Sequence, residues 1–403
     1  MIELNSSSAL DKIVIIGGGF AGLFTGINLI EKGFDKVIVF EEHKTIGEPR
    51  HCAGLVSEKA LKMFNLYEDD FVINTVSRAR FFSPAGIDFE IEGEKAIVID
   101  RVLFDRFLAE KFESLGGRIV YKRVDRPCFI NDTVKGVYLD GDEYCEADLV
   151  VDCEGVHSGC RILPMTGLSP PETLLHATQF DIENAFVDDV SHVELHFGRE
   201  VAPGFFLWLI PLDEKNVRIG VASSDIYKRP PDLLWKFMKH GIRRDMFTIA
   251  NVKYRFGGLI VASGPIGKTY TSGFLAVGDV AGQVKPTTGG GIFTGGICSI
   301  AAAQAIAWAH DYGEYSEKTL SKYEMLWRHI LGREFKYMLL ARKFLLKMRD
   351  HEIDELFKAI RDSGICDRVG RKGDMDLQFR TFMEFIRSPR VTLKILKIML
   401  RRQ

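Results

Sequence analysis

The sequence predicts an α/β fold: a parallel sheet flanked by helices, interrupted by β-rich segments and followed by a helical C-terminal region. Three observations lead to this prediction. Apolar runs at residues 12–16 and 36–40 are separated by a glycine-rich turn and an amphipathic segment, which is the pattern of a βαβ unit. Residues 58–98 and 163–265 are instead rich in short strand-like pieces. Beyond about residue 312 the chain has a helical pattern throughout.

The elements of the parallel sheet follow in order along the chain. The run 12–16 is typical of a buried strand, because strands covered on both faces lack polar alternation. Residues 20–32 form the predicted helix, which ends at Gly33, and residues 36–40 form the second strand. The remaining predicted elements are a helix at 101–115 and buried strands at 149–152 and 274–277.

The β-rich segments are predicted from turn residues and alternation. Residues 128–147 contain Asn131-Asp132 and Asp140-Gly141, which favour hairpin turns. Further strands are predicted at 79–83, 87–91, 205–211 and 217–222. We therefore expect one discontinuous domain of residues 1–57, 99–162 and 266–311, a β-rich domain of 58–98 and 163–265, and a helical region of 312–403.

The composition argues against several classes of protein. The chain is 46% hydrophobic and 27% charged, and its net charge of −2 gives no reason to expect a nucleic-acid partner. The seven cysteines are scattered without a CxxC pair, so we predict neither a disulfide framework nor a metal site. Neither a signal peptide nor a spanning helix is predicted, and we expect a cytoplasmic protein.

The strongest motif is the segment 17–22, Gly-Gly-Gly-Phe-Ala-Gly, between a predicted strand and a predicted helix. Gly17 permits the tight turn, Gly19 lets the backbone approach a pyrophosphate, and Gly22 allows close packing of helix and strand. The free N–H groups and positive dipole end of the helix favour phosphate there. Glu41 ends the second strand, where its carboxylate can accept both adenosine ribose hydroxyls and would repel a 2′-phosphate.

A second motif, Gly-Asp-Val-Ala-Gly at 278–282, follows the buried strand 274–277. A carboxylate at the end of a strand, here Asp279, can hold a ribityl hydroxyl. The glycine run that leads to Ile292 opens a helix of small residues, whose N-terminus can stabilise the N1–C2 edge of a reduced flavin. Together the two motifs predict FAD as the cofactor.

The motif set resembles the three fingerprints of group A flavoprotein hydroxylases and their relatives. The middle fingerprint spans 148–161, with His157, Ser158 and Arg161, and has Glu154-Gly155 where the family usually has Asp-Gly. The resemblance implies a Rossmann-like FAD-binding domain with an inserted β-sheet substrate domain. It also implies that Arg101, at the start of its helix, reaches the FAD pyrophosphate, the alternative being a surface arginine.

Within this superfamily the chain is similar to the geranylgeranyl reductase family. Residues 203–211, Pro-Gly-Phe-Phe-Leu-Trp-Leu-Ile-Pro, resemble its Pro-x-x-Tyr-x-Trp-x-Phe-Pro signature, with Phe206 for the tyrosine and Ile210 for the phenylalanine. Residues 50–54, Arg-His-Cys-Ala-Gly, resemble its cysteine-containing loop near the flavin. The pattern alone favours an ordinary strand buried on both faces for 203–211, and the resemblance reverses that preference. The expected cofactor-binding residues are Gly17, Gly19, Phe20, Ala21, Gly22, Glu41, Glu42, Arg50, Cys52, Ala53, Gly54, Arg101, Val124, Gly278, Asp279, Gly290, Gly291 and Ile292.

The resemblance implies saturation of isolated C=C bonds in geranylgeranyl chains, on archaeal-type ether lipid precursors. Hydride would come from N5 of reduced FAD and a proton from a second group. The expected catalytic residues are Cys52, His51, Phe206 and Trp208, with the aromatic faces stabilising positive charge by cation–π attraction. The alternatives are a menaquinone side-chain reductase, an FAD-dependent aromatic monooxygenase and a non-catalytic flavin-bound carrier of prenyl lipid.

The sequence does not decide between alternatives for the electron donor or for contact with a membrane. No second dinucleotide fingerprint is present, so the electron donor is either a transiently bound NAD(P)H or a ferredoxin. Residues 390–402 carry five basic and no acidic residues interleaved with apolar ones. This pattern fits a peripheral membrane helix at 390–403 and equally a terminal helix packed on the body.

Overall fold

The computed structural model describes residues 11–157 and 159–401, so Ser158 and the last two residues of the predicted membrane helix lie outside the described residues. Within them the strands are β1 (Ile13–Ile16), β2 (Val37–Phe40), β3 (Leu55–Ser57), β4 (Val72–Phe82), β5 (Asp88–Ile99), β6 (Arg118–Val120), β7 (Val124–Ile130), β8 (Thr133–Leu139), β9 (Tyr144–Glu146), β10 (Leu149–Asp152), β11 (Leu174–Glu183), β12 (His192–His196), β13 (Leu207–Pro211), β14 (Asn216–Ser223), β15 (Asn251–Val261), β16 (Tyr270–Thr271) and β17 (Phe274–Ala276). The helices are α1 (Phe20–Ile30), α2 (Glu58–Met63), α3 (Arg101–Ser114), α4 (Pro230–His240), α5 (Ile292–Tyr312), α6 (Glu317–Lys347), α7 (Asp350–Ser363), α8 (Cys366–Lys372), α9 (Gln378–Ile386) and α10 (Pro389–Leu400).

The first sheet has the strand order β16-β17-β10-β1-β2-β6, and all of its pairs except β16–β17 are parallel. Its strands are buried on both faces: Ile13 and Ile15 pack towards α1, α3 and α5, while Val14 and Ile16 pack in a second core that includes β8. This explains the unbroken apolar runs in the sequence, because a strand with helix or sheet on each face has no solvent side. The α/β fold class is confirmed.

The second sheet has eight strands in the order β15-β11-β14-β13-β12-β4-β5-β3, nearly all antiparallel. Its strands β4 and β5 were predicted too short, since the sequence suggested only 79–83 and 87–91. Polar residues such as Asn74 and Glu92 hide the strand pattern, and backbone pairing along the full hairpin extends it. A separate three-stranded sheet, β7-β8-β9, matches the predicted hairpins at 128–147.

Chain segments of the two large sheets alternate along the sequence. Residues 55–57, 72–99 and 174–261 supply the eight-stranded sheet, and the parallel sheet takes its strands from 13–40, 118–120, 149–152 and 270–276. All described residues from 317 to 400 that form regular structure are helical. Among the described residues one helix, α5, is long and apolar enough to cross a membrane, but 67% of its most apolar window is buried in the fold. It packs between α1 and α6 as a core helix.

Candidate functional site

A large cavity of about 1320 Å³ runs from the glycine-rich turn before α1 to the C-terminal helices. Its volume exceeds the ~300–1,000 Å³ of pockets that hold one small ligand. One end is lined by the ends of parallel strands and by glycines, and the other by aromatic and aliphatic side chains. The cavity therefore has the size and the two-part lining expected for a cofactor with a second, apolar ligand beside it.

The glycine-rich turn forms the polar end of the cavity. Gly17 has φ +98°, and a Cβ on it would lie 2.5 Å from the carbonyl oxygen of Cys153. A Cβ on Gly22 would lie 2.0 Å from the carbonyl oxygen of Gly17, so this glycine serves packing. A Cβ on Gly19 would meet nothing within 4 Å, because this residue faces open space in front of α1. The free N–H groups at the start of α1 can bind a pyrophosphate in that space.

Glu41 lies beside the same turn, at the end of β2. Its Oε2 accepts a hydrogen bond from the backbone N–H of Gly18 at 2.8 Å, and its Oε1 accepts from the backbone N–H of His43 at 2.8 Å. These contacts fix the carboxylate at the cavity wall, next to the phosphate-binding space. The position suits a carboxylate that accepts ribose hydroxyls through its remaining lone pairs.

Asp279 faces the cavity at the start of the second motif. Among the described residues its carboxylate has no hydrogen-bond partner. It is exposed to the cavity, and desolvation by the surrounding protein raises its pKa, an effect that Arg101 partly opposes. A Cβ on Gly291, at the N-terminus of α5, would lie 3.0 Å from its Oδ1. An unpartnered carboxylate next to a helix N-terminus without side chains is suited to bind a polyol and the polar edge of a ring.

Arg101 begins α3 and lines the cavity between these groups. Its guanidinium is ion-paired with Asp105 at 3.0 Å, and both side chains are largely buried. Burial opposes its charge, but Asp105 and Cys52 raise its pKa above the usual range, so it stays cationic. A fixed cation at this position can bind the phosphates of a dinucleotide.

The loop 50–54 crosses the middle of the cavity. His51, Cys52, Ala53 and Gly54 line it, while the side chain of Arg50 does not. The Arg50 guanidinium instead lies 3.7 Å from Asp100 and over the ring of Tyr254, which takes it away from the cavity.

The imidazole of His51 has a defined environment. Its Nδ1 lies 3.0 Å from the carbonyl oxygen of Pro49, and its ring packs edge-on against His157 at 4.8 Å. Because a carbonyl oxygen only accepts, Nδ1 carries the proton and Nε2 is free to accept. Burial and the charge of Arg101 lower the pKa of His51 to about 4. The ring is therefore neutral near pH 7, where it is a weak proton donor.

The strand β13 divides its side chains between two environments. Phe206, just before the strand, and Trp208 and Ile210 within it line the cavity. Leu207 and Leu209 point the other way, into a core shared with α4. The family signature has tyrosine at the position of Phe206. The ring of Phe206 stacks on that of Phe205, with 4.3 Å between ring centroids, and packs edge-on against Trp208 at 6.0 Å.

The apolar end of the cavity continues across the sheet to the C-terminal helices. The residues that line it there share large apolar side chains, from β5 and β12 on the sheet and from α6 to α10 opposite: Phe89, Ile91, Val193, Leu195, Leu340, Phe344, Leu345, Leu356, Phe357, Ile360, Val369, Phe382, Phe385, Ile386, Val391, Ile395 and Met399. This is a long apolar chamber that begins at the loop 50–54 and ends at α10.

The residues of the polar end fit FAD. They offer a glycine cradle with free N–H groups, a carboxylate for each sugar or ribityl chain, and a cation and a helix N-terminus for charge. The other predicted cofactor residues on the cavity wall are Phe20, Ala21, Glu42, Val124, Gly278, Gly290 and Ile292.

Three polar residues at the site were not found from the sequence. Gln179, Arg218 and Lys285 are each at most 6% exposed and contact the loop 50–54 or the linker before α9. Gln179 and Arg218 lie in strands without any motif, and their partners follow only from strand register. Lys285 had one available signal, because it directly precedes Pro286 and the glycine run.

Comparison with known proteins agrees with this geometry. Residues 11–325 match the family model described as FAD binding domain. The digeranylgeranylglycerophospholipid reductase of Methanocaldococcus jannaschii is 31% identical over 376 residues, which cover 90% of this chain and 93% of that relative. The family match includes the motifs at 17–22, 50–54, 148–161, 203–211 and 278–282.

Two solved structures share the fold. A geranylgeranyl bacteriochlorophyll reductase-like protein of Thermoplasma acidophilum has a TM-score of 0.84 at 20% identity, covering 96% of this chain and 98% of that one. The p-nitrophenol 4-monooxygenase of Pseudomonas putida has a TM-score of 0.70 at 16% identity, covering 96% and 98%. The chain thus belongs to the FAD-binding flavoenzymes and, among them, to the family of digeranylgeranylglycerophospholipid reductases, with FAD as its cofactor.

Proposed function

We propose that this flavoenzyme saturates isolated C=C bonds of geranylgeranyl chains carried by archaeal-type ether lipid precursors. The observation that carries the proposal is the continuity of the cavity, in which the cofactor end opens directly into a chamber lined by aromatic and aliphatic side chains. An aromatic monooxygenase that acts on a small phenol needs a compact pocket with a polar end. The chamber here is instead long and apolar and extends to the C-terminal helices.

The chamber supplies binding energy for a long hydrocarbon. Transfer of each CH₂ group from water into such a lining contributes about 0.8 kcal/mol. The wall is built from two sides, since β5, β12 and β13 provide the floor and α6 to α10 the cover. A prenyl chain inside it is shielded from water along its length, and its double bonds can be drawn in turn towards the cofactor end.

The chemistry requires two hydrogens from different sources. Reduced FAD, when bound, would supply the hydride that forms one new C–H bond, and a proton whose transfer runs ahead of the hydride forms the other as the alkene π bond is lost. An isolated alkene has no carbonyl to polarise, so positive charge develops on carbon. Phe206 and Trp208 line the cavity, and their ring faces can stabilise that charge. An apolar lining that excludes water would strengthen the attraction.

We place the proton transfer on the loop 50–54, where the polar and apolar ends meet. Cys52 is there beside the cationic Arg101, and His51 is neutral with a free Nε2. Of the two, we propose Cys52 as the proton donor, because it lines the cavity and the neutral imidazole of His51 is a weak donor.

The function is tested by incubating dithionite-reduced protein with a geranylgeranyl ether lipid and, separately, with a prenylquinone, followed by mass spectrometry. Dithionite replaces the physiological donor, for which NAD(P)H and a ferredoxin are the two candidates. A gain of two hydrogens per double bond on the ether lipid supports the proposal. A gain only on the quinone indicates a menaquinone side-chain reductase, a gain of one oxygen with NAD(P)H and air indicates a monooxygenase, and an unchanged mass with bound lipid indicates a carrier.

We further propose that α10 contacts the cytoplasmic face of a membrane. The helix is packed on the body, because Val391 and Ile398 are buried against α7 and α9. Its outer face nevertheless leaves Leu393, Leu396 and Leu400 exposed, next to the cavity-lining Met399. Basic residues lie along one side of this apolar face, where Lys394 and Arg401 also contact Glu355 of α7. The positive charge of the helix suits an anionic lipid surface. The chamber would then open beside the source of its substrate.

The membrane contact is tested by sedimentation with phosphatidylglycerol vesicles. Deleting 390–403 would open the chamber, so the sharper change is Leu393→Glu with Leu396→Glu, which alters only exposed side chains. We expect these variants to lose vesicle binding and keep FAD. Met325→Glu, an exposed change on α6, is the control and should bind like the wild type. Unchanged binding of the Leu393→Glu/Leu396→Glu protein would contradict the proposal.

A further inference from the structure

Trp208 and Gln179 are joined across a glycine. In the eight-stranded sheet Gln179 pairs with Gly220, and Gly220 pairs with Trp208 on its other side. A Cβ on Gly220 would lie 2.3 Å from the indole of Trp208, so the ring lies flat over this glycine. The indole Nε1 thereby reaches Gln179 and donates a hydrogen bond to its Oε1 at 3.1 Å.

Gln179 continues this contact to the loop 50–54. Its Nε2 donates to the carbonyl oxygen of His51 at 3.0 Å. The amide therefore uses its acceptor for Trp208 and a donor for the loop, and this fixes its orientation. Gln179 is 2% exposed, where an unmade hydrogen bond costs free energy.

A second side chain of the same sheet face holds the other side of Cys52. Arg218 donates from Nη1 to the carbonyl oxygen of Ala53 at 2.8 Å. Its other nitrogens bind both carboxylate oxygens of Asp181, at 2.6 and 2.8 Å, so the guanidinium is rigidly held. Asp181 lies two residues after Gln179 on β11 and therefore on the same face.

We infer that Gln179 is a positioning residue that, together with Arg218, fixes the position of the loop 50–54, and so of Cys52, relative to Trp208. The backbone carbonyl groups of the residues before and after Cys52 both accept hydrogen bonds from side chains of the eight-stranded sheet. One of these side chains, Gln179, is also hydrogen-bonded to the indole of Trp208, which lines the chamber. The position of Cys52 is thus set by the wall that the substrate touches. This inference deepens the proposed function, on which its catalytic meaning rests, and Gln179 itself contacts no reacting atom.

The experiment measures hydrogen–deuterium exchange of the peptide covering residues 47–57 in the FAD-bound protein. Gln179→Leu removes both hydrogen bonds, and we expect exchange in this peptide to rise about threefold to tenfold, the factor for one lost hydrogen bond. Trp208→Phe keeps an aromatic ring but removes the N–H, and a rise in the same peptide is expected. The double variant should not exceed the larger single effect, because both changes break one chain of contacts.

Thr178→Val is the matched control. Thr178 neighbours Gln179 on β11 but faces the other side of the sheet, so its replacement should leave the loop peptide unchanged. In turnover, the Gln179→Leu protein should lose kcat with little change in KM, since most of the apolar lining of the chamber is unchanged.

Wild-type exchange of the 47–57 peptide in Gln179→Leu would overturn the inference, as would additive effects in the double variant. If Gln179→Leu does not fold, the test rests on the Trp208→Phe protein. Wild-type exchange of the 47–57 peptide in that protein would contradict the inference that the Trp208 indole helps to position the loop. Because exchange is read without turnover, absence of prenyl saturation would refute the proposed function and leave this test standing.

Discussion

The ammonium of Lys285 lies 2.9 Å from Oδ1 of Asp376, and both side chains are nearly fully buried. Lys285 belongs to the segment before the glycine run of the cofactor end, and Asp376 to the linker between α8 and α9. Lys285 also donates to the carbonyl oxygen of Met375 at 3.1 Å. A buried ion pair thus fastens the helical cover of the chamber to the cofactor-binding part of the fold.

Breaking this pair should destabilise the protein strongly. We expect Lys285→Met to lower the free energy of unfolding by about 3–5 kcal/mol, because it leaves the carboxylate of Asp376 buried without its cation. The double change Lys285→Met/Asp376→Leu should cost less than the single one. Urea unfolding measures both. The control is Lys268→Met, which removes an exposed pair with Glu317 and should cost roughly 0–1 kcal/mol. Equal losses for the buried and exposed pairs would contradict this account.

Two glycines of the first motif should respond differently to alanine. Gly19→Ala should leave the unfolding of the apoprotein unchanged, since its Cβ meets nothing within 4 Å, yet it should weaken FAD binding by filling the space for the pyrophosphate. Gly22→Ala should destabilise the apoprotein itself, since its Cβ would overlap the carbonyl oxygen of Gly17. Flavin fluorescence titration and urea unfolding give the two readouts. Normal FAD affinity in Gly19→Ala would show that the phosphates bind elsewhere.

Replacing Trp208 should slow the chemical step. Trp208→Ala should reduce kcat for prenyl saturation about threefold to thirtyfold, because a cation–π contact contributes ~0.5–2 kcal/mol to a developing positive charge. The rate of mass gain on the lipid measures this effect. Trp308→Ala, a change on the outer part of α5, should keep the wild-type rate. A wild-type rate in Trp208→Ala would show that the Trp208 ring does not stabilise the developing positive charge.

Acidification should destabilise the apoprotein partly through His51. Its pKa in the fold is about 4, lowered by burial and Arg101, whereas in the unfolded chain it is about 6.5. Between these values the unfolded chain binds more protons, so stability is full above the higher value and is lost as the pH falls towards the lower one. His51→Gln should therefore lose less stability than the wild type between about pH 7 and about pH 5 in urea unfolding. Parallel pH curves for the two proteins would mean that the pKa of His51 is not lowered in the folded apoprotein.

Much of the fold was predictable because local patterns carried it. The buried strands at 12–16, 36–40 and 149–152 were predicted correctly from unbroken apolar runs, and α1 and α3 from helical spacing with glycine stops. The lengths of β4 and β5 were not, because polar residues interrupt the alternation while cross-strand hydrogen bonds continue. The assignment of individual residues to catalysis and cofactor binding remains a prediction for the variants above to test.

The sequence by itself determined the cofactor, since glycines at fixed positions next to buried strands have few physical uses other than binding phosphate and flavin. The family followed from the resemblance of residues 50–54 and 203–211 to its motifs. Only the tertiary structure decided where the second ligand can go. The chamber is formed by β5, β12 and β13 on one side and by helices distant in sequence on the other. The contacts of Gln179 and of Lys285 likewise depend on strand register and on the packing of the C-terminal helices, which no local pattern encodes.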